Sequence, residues 1–360
     1  MKNLSRNDVV SLLCQDAPDL SGKDVYVYGI GNTASLFQEG LKREFFYEQI
    51  KGYCTSYPKD WGKTVFGKPC VPPETLTSKD NVFVLICTPT PVYIEEISQN
   101  LDSLTIPYCL MEEAILKNHA EEVVAVYDLL EDKKSKDIYA NLLYCRLNGI
   151  YPDFDIYSGN PYFCWNEFTA RTPGGVFVDC GAYTGDTIEK YIWYRDGVVE
   201  KIYSFEPDPH NFNAMTCRVE RLKKEWNLSD EEVQLISSGV SNCSEDACVQ
   251  VYSENRGLGS KIVAGKNKST GYNVKIVALD DVIKGPVDFI KADIESFEYK
   301  MLLGAESLIR TCKPCLALCI YHNSTDFYSV PLLVHRMFPD AKFAVRHHSM
   351  DLSETVLYIW

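Results

Sequence analysis

The sequence predicts an α/β protein built from two parallel-sheet domains. Three observations carry that expectation. The chain has 360 residues, too long for one ordinary domain of ~100–200 residues. Short β-rich runs alternate with helix-patterned stretches, the order that produces parallel strands with crossover helices. The alternation also occurs twice, over residues 1–120 and over 172–360, each time with a glycine turn after the first strand. Between them, 121–171 reads as a helical connector and an aromatic segment.

Composition bounds the function. Apolar residues make up 46% and charged residues 24%, ordinary for a soluble protein with enough apolar material for two cores. A net charge of -14 has the wrong sign for holding a nucleic-acid backbone through the overall field, so no nucleic-acid partner is expected. The N-terminus lacks the apolar run of a signal peptide. The longest apolar stretches, 82–87 and 315–321, fall far short of the ~20 residues of a membrane helix, so no membrane span is expected. There are 14 cysteines, and Cys87, Cys180, Cys315 and Cys319 sit inside apolar runs as small core residues. A reduced, cytoplasmic protein is the expectation.

Element by element, the first series opens with a strand at 24–28, then Gly29-Ile-Gly31-Asn-Thr-Ala34 and a helix to Phe46. A buried strand at 81–87 leads through Thr88-Pro-Thr-Pro91 into a helix at 92–101. Residues 53–77 are loops with a short strand, and 112–147 are helical. In the second series 175–181 is a buried strand ending in a glycine turn, Asp179-x-Gly181-x-x-x-Gly185. Glycines there let the backbone approach a ligand, and the following helix start offers free amides. The next strand, 201–206, ends at Glu206. A carboxylate at that tip, about 20 residues past the glycine loop, is where doubly wound sheets grip a ribose diol. Further strands are expected at 232–240 with Ser238 near its ligand end, at 287–293 ending in Asp293, and at 315–321 ending before His322.

These motifs together resemble the FkbM family of S-adenosylmethionine-dependent methyltransferases. The resemblance runs over 176–360 and rests on Phe177-Val-Asp-Cys-Gly-Ala-Tyr-Thr-Gly-Asp186, Ser204-Phe-Glu-Pro-Asp208, Ala278-Leu-Asp-Asp-Val-Ile283, Asp288-Phe-Ile-Lys-Ala-Asp-Ile-Glu-Ser-Phe-Glu298 and Ile320-Tyr-His-Asn323. It implies a class I (Rossmann-like) methyltransferase fold beside a smaller N-terminal Rossmann-like α/β domain. It also implies that Asp179, Gly181, Ala182, Gly185, Asp186 and Thr187 form the turn under the methionine part of the cofactor. Glu206 and Pro207 would hold the ribose, Asp208 and Ser238 would lie near the adenosine, and Ser260, in Gly257-Leu-Gly-Ser-Lys261, would belong to a loop over the cofactor. Tyr162-Phe163 resembles an aromatic pair before the first strand, with plain packing an equal alternative. One departure is visible: the family usually has Gly where Ser296 stands.

Methyl transfer to an alcohol needs the hydroxyl oriented and its proton removed. Asp293 and Glu295 alternate at a strand end and are expected on one side; His322 could act as base or be structural. The same three, Asp293, Glu295 and His322, could instead hold Mg or Mn, but the metal-free version is preferred. Glu298 reads first as a helix-dipole partner. Cys312-x-x-Cys315 lacks a second ligand pair, and His347-His348 reads as a surface or edge pair.

The expectation is an O-methyltransferase acting on a small-molecule or carbohydrate acceptor, a sugar hydroxyl or nucleotide-sugar precursor. Two other classes remain open: an NAD-dependent oxidoreductase using Gly29-x-Gly31-x-x-Ala34, or a non-catalytic cofactor-binding module. The N-terminal domain lacks a clear acidic residue after its second strand, which weakens the nicotinamide reading. It is expected to serve as a scaffold, as a homo-oligomer contact or as a nucleotide-sugar site.

Overall fold

A computed structural model describes residues 2–15, 17–163, 175–250, 261–264 and 271–360. The chain falls into two compact units. One comprises Met1–Tyr157 with Tyr321–Tyr328 and Ser349–Ser353; the other comprises Ser158–Ile320, Ser329–His348 and Glu354–Trp360.

In the first unit the strands are β1 (Asp24–Tyr28), β2 (Ile50–Cys54), β3 (Thr64–Val65), β4 (Lys68–Val71), β5 (Val82–Ile86) and β6 (Tyr108–Leu110). They form one sheet in the order β3-β4-β2-β1-β5-β6, in which only the β3–β4 pair is antiparallel. Its helices include α1 (Arg6–Cys14), α2 (Asn32–Leu41), α3 (Pro91–Ser103), α4 (Met111–Asn118), α5 (Ala120–Leu129) and α6 (Lys133–Asn148). The helical stretch after residue 120 therefore packs with this unit.

Two short segments from late in the chain also belong here, for a polar reason. Arg146 is 2% exposed, pairs with Glu112, and donates to the Leu352 carbonyl at 3.2 Å. Ser324 donates to the same Glu112 at 3.0 Å, and Tyr139 stacks on Phe327 with ring centroids 4.1 Å apart. A buried guanidinium tolerates burial only with its charge met, so Arg146 ties 321–328 and 349–353 to these helices.

The second unit begins its sheet with β7 (Val176–Cys180) and β8 (Lys201–Phe205), separated by α7 (Asp186–Tyr194). After α8 (Pro209–Trp226) come β9 (Val233–Ile236), β10 (Ser238–Val240), β11 (Glu245–Gln250), β12 (Lys261–Ala264), β13 (Gly271–Val277) and α9 (Leu279–Val282). The chain continues through β14 (Phe289–Ala292), α10 (Glu298–Leu303), α11 (Glu306–Cys312), β15 (Cys315–Cys319), α12 (Asp326–Met337), β16 (Phe343–His347) and β17 (Thr355–Ile359).

Seven strands make one sheet in the order β16-β17-β15-β14-β7-β8-β9. All its neighbours run parallel except at β17, which is antiparallel to both β15 and β16. Every residue of β7, β14, β15, β16 and β17 is buried. Strands covered on both faces read as unbroken apolar runs, which is why most were legible. This is a Rossmann-like arrangement, its strand order reversing between β7 and β14. One strand expectation needs correcting: 232–240 is not a single strand. It breaks at Ser237, and Ser238 starts β10 in a separate four-stranded sheet, β10-β13-β11-β12. A change of sheet requires a change of direction, and β-rich composition carries no signal for it.

Candidate active site

The carboxyl ends of β7, β8, β9 and β14 lie along one edge of the second unit's sheet, as parallel pairing requires. Just past β7, Gly181 has φ +78°, and a Cβ placed on it would lie 1.9 Å from the Asp293 carbonyl oxygen. Only glycine permits that approach of two strand ends. The Gly181 and Ala182 amides both donate to the Phe205 carbonyl at 3.0 Å, and Gly185 closes the turn onto Ala182 at 2.7 Å. Gly185, at φ +81°, precedes α7 without a side-chain cap. Asp186 is half exposed beside Lys190, at 3.1 Å, while Ala182 and Thr187 are buried.

Glu206 follows β8 and is 5% exposed. One oxygen accepts from the Tyr183 amide at 2.9 Å and the other from the Asp208 amide at 2.8 Å. The Glu206 carboxylate thereby bridges the glycine turn and the Asp208 amide. Burial pushes the Glu206 carboxyl up to about 7, against the lowering effect of those two amides. Pro207 is half-buried behind it. Asp208 is fully buried and caps α8, accepting from the His210 amide at 2.8 Å and the Asn211 amide at 3.2 Å. Ser238 is buried and donates to the Ser237 carbonyl at 2.8 Å. Ser260 lies outside the described residues.

Beneath this edge sits a polar cluster. Asp179 is fully buried, with Lys291 Nζ at 3.2 Å. Burial raises the Asp179 carboxyl, opposed by Lys291. For Lys291 burial acts downward, but Asp179, then Asp293 and Cys319, hold the ammonium above its ordinary value. We assign Lys291 as protonated, since it also donates to the Gly181 carbonyl at 2.7 Å. Asp293 follows β14 and accepts from the Tyr162 hydroxyl at 3.0 Å.

Tyr162 itself has φ +68°, and its backbone amide donates to the Tyr358 hydroxyl at 2.9 Å. That hydroxyl lies 3.1 Å from His348 Nε2, whose Nδ1 faces the Gly159 carbonyl at 2.8 Å. A carbonyl only accepts, so in the neutral ring Nδ1 carries the proton and Nε2 accepts from Tyr358. The chain from His348 through Tyr358 to Tyr162 thus holds the hydroxyl that orients Asp293.

Several sequence expectations change. Glu295 does not continue the strand: it and Ser296 have φ +53° and +73°, so the chain turns and strand alternation stops at Asp293. His322 belongs to the first unit and is buried beside Tyr321. His347 ends β16, the edge strand of the sheet, but it and His348 are 0% and 8% exposed rather than on the surface; β17 and the 158–162 segment cover them, His347 bonding Thr355 at 2.9 Å. Glu298 is buried and accepts from the Ile294 amide at 2.8 Å. Lys291 was not singled out, although a lysine within an apolar strand is itself a signal, because its charge needs a partner.

Residues 179–347 match the family model described as the methyltransferase FkbM domain. Those residues, just under half of the chain, are similar to a methyltransferase FkbM domain. A structural comparison aligns 99% of this chain with 99% of a methyltransferase FkbM from Methylobacillus flagellatus KT, at 19% identity and TM-score 0.57. That likeness concerns the fold. An rRNA methylase from Streptococcus thermophilus aligns over 54% of this chain and 90% of its own, at 15% identity and TM-score 0.32. Fibrillarin from Aeropyrum pernix, with bound S-adenosyl-L-methionine, aligns over 52% and 67%, at 12% identity and TM-score 0.31. No curated protein matches the chain in sequence.

The matching model is that of a methyltransferase, a class for which S-adenosylmethionine is the expected methyl donor. The sheet edge suits that cofactor chemically. Glu206 offers a carboxylate to a diol, and Asp186, Glu206 and Asp293 give the edge an acidic character that complements a cationic sulfonium. Among the described residues no helix is long and apolar enough to cross a membrane.

Proposed function

We propose that the FkbM domain transfers a methyl group to a hydroxyl oxygen of a sugar or nucleotide-sugar precursor, in the cytoplasm. The observation that carries the oxygen acceptor is Asp293, a carboxylate at the strand edge oriented by the Tyr162 hydroxyl at 3.0 Å. The sugar rests on the family resemblance, and the net charge of -14 disfavours a nucleic-acid acceptor.

In this reading Glu206 and Pro207 hold the ribose, and Gly181, Ala182, Gly185, Asp186 and Thr187 line the path of the amino-acid arm one strand away. Asp208 supports Glu206 through its amide, and Ser238 flanks the adenosine side. Bound there, S-adenosylmethionine supplies a methyl activated by positive sulfur. Asp293 would accept the proton of the attacking hydroxyl as the oxygen–methyl bond forms and the sulfur–methyl bond breaks, with S-adenosylhomocysteine as the leaving group. In this reading no metal is required. Buried free thiols such as Cys87, Cys180 and Cys319 suit a reducing compartment.

The test is methyl transfer from labelled S-adenosylmethionine across nucleotide-sugars and oligosaccharides, with calorimetry against S-adenosylmethionine and NAD. A methyl ether product that disappears in Asp293→Asn supports the reading. Methylation of nitrogen, or binding of NAD alone, refutes it.

A further inference from the structure

The reaction above makes no use of Lys291, yet its placement is costly. Its side chain is 3% exposed, in the middle of β14, and an ammonium is retained at such a site only when its charge and donors are met. They are met by the start of the glycine turn: the Gly181 carbonyl at 2.7 Å, the Cys180 carbonyl at 3.4 Å and Asp179 Oδ1 at 3.2 Å. The two peptide units that launch the turn are therefore held at both ends. Their carbonyls point to Lys291, and their amides, from Gly181 and Ala182, donate to the Phe205 carbonyl at 3.0 Å. Two residues later the Tyr183 amide reaches Glu206. The path of the turn is set by where those carbonyls point, whereas Glu206 has a second anchor outside the turn, the Asp208 amide at 2.8 Å.

We infer that Lys291 is a positioning residue for the cofactor, fixing the backbone of the Gly181 turn beneath the amino-acid arm of S-adenosylmethionine. The inference rests on the reading of residues 181–187 as the cofactor turn. A purely structural role predicts something different. A buried ion pair contributes little stability compared with apolar side chains of similar volume, whereas removing one partner alone is expensive. Replacing both partners separates folding from positioning.

The experiment measures binding of S-adenosylhomocysteine and of 5′-methylthioadenosine, which lacks the amino-acid arm, to the full chain by calorimetry, alongside thermal unfolding. In the Asp179→Leu/Lys291→Met double variant, S-adenosylhomocysteine affinity should fall at least about tenfold, methylthioadenosine affinity should hold within about twofold, and the melting temperature should stay close to wild type. Asp179→Asn, which keeps both carbonyl bonds to Lys291, should bind S-adenosylhomocysteine within about threefold of wild type. Unchanged S-adenosylhomocysteine affinity in the double variant, or equal loss of both ligands, overturns the inference. If the double variant does not fold, Lys291→Gln with Asp179 retained is read by the same two ligands. A wild-type chain that binds neither ligand overturns the cofactor turn itself, and Lys291's role with it; wild-type binding with indifferent variants overturns Lys291 alone.

Discussion

Replacing Gly181 by alanine tests whether the donor turn depends on close strand approach or only on a left-handed backbone. The new Cβ would stand 1.9 Å from the Asp293 carbonyl oxygen and 2.9 Å from its carbon, where contacts below about 3 Å do not persist. The end of β14 must withdraw by roughly 1 Å, which strains the Asp293 amide bond to the Cys180 carbonyl, 3.1 Å long. Such a bond contributes about 1 kcal/mol, overpacking adds about 1–3 kcal/mol, and a left-handed alanine adds about 1–2 kcal/mol. The expected loss is therefore about 3–6 kcal/mol. Gly185→Ala is the internal control: its φ is also positive, at +81°, but the nearest atom is the flexible Met215 Cγ at 3.1 Å, so about 1–2 kcal/mol is expected. Urea unfolding of both variants decides the matter. Equal losses would refute the close-approach argument and leave conformation as the whole cause.

Ser296→Gly should stabilise the protein by about 1 kcal/mol, seen as a rise of about 2–4 °C in Tm; the serine sits at φ +73° with a buried hydroxyl that has no hydrogen-bond partner, and a fall in Tm would show that the hydroxyl matters more than the backbone. Glu206→Gln tests linkage. Burial lifts the Glu206 carboxyl to about 7, so its contribution to stability is fully present below its unfolded pKa of about 4.3 and lost as pH rises through 7, by up to about 3 kcal/mol. The wild-type minus variant difference between pH 4.5 and pH 8 should carry that slope, and a flat difference would contradict it. Tyr162→Phe should lower the methyl-transfer rate about tenfold while leaving S-adenosylmethionine affinity unchanged. A matching loss of affinity would show that Tyr162 serves the cofactor rather than Asp293.

Much of the second unit was legible because its strands are buried on both faces. Runs such as 176–180 and 315–319 need no partner to be recognised, and the order of strand tip, glycine turn and Glu206 follows from local chain chemistry. Gly181 and Gly185 were readable for the same reason: glycine accepts a positive φ at no steric cost, so its presence at that spacing marks a tight turn.

What lay beyond the sequence depends on partners far along the chain. Asp179 reads locally as a turn residue, but it is buried against Lys291, 112 positions away, and that pairing exists only once β7 and β14 are neighbours. Tyr162 reads as packing until Asp293 is brought 3.0 Å from its hydroxyl. The histidines at 347 and 348 look like edge polarity until β17 and residues 158–162 cover them. Local sequence therefore determined most strands, the turn after β7 and its glycines, because backbone conformation and burial act over a few residues. Tertiary structure decided which charges meet, because the cost of burying Lys291 or Arg146 is offset only by a partner that folding itself delivers.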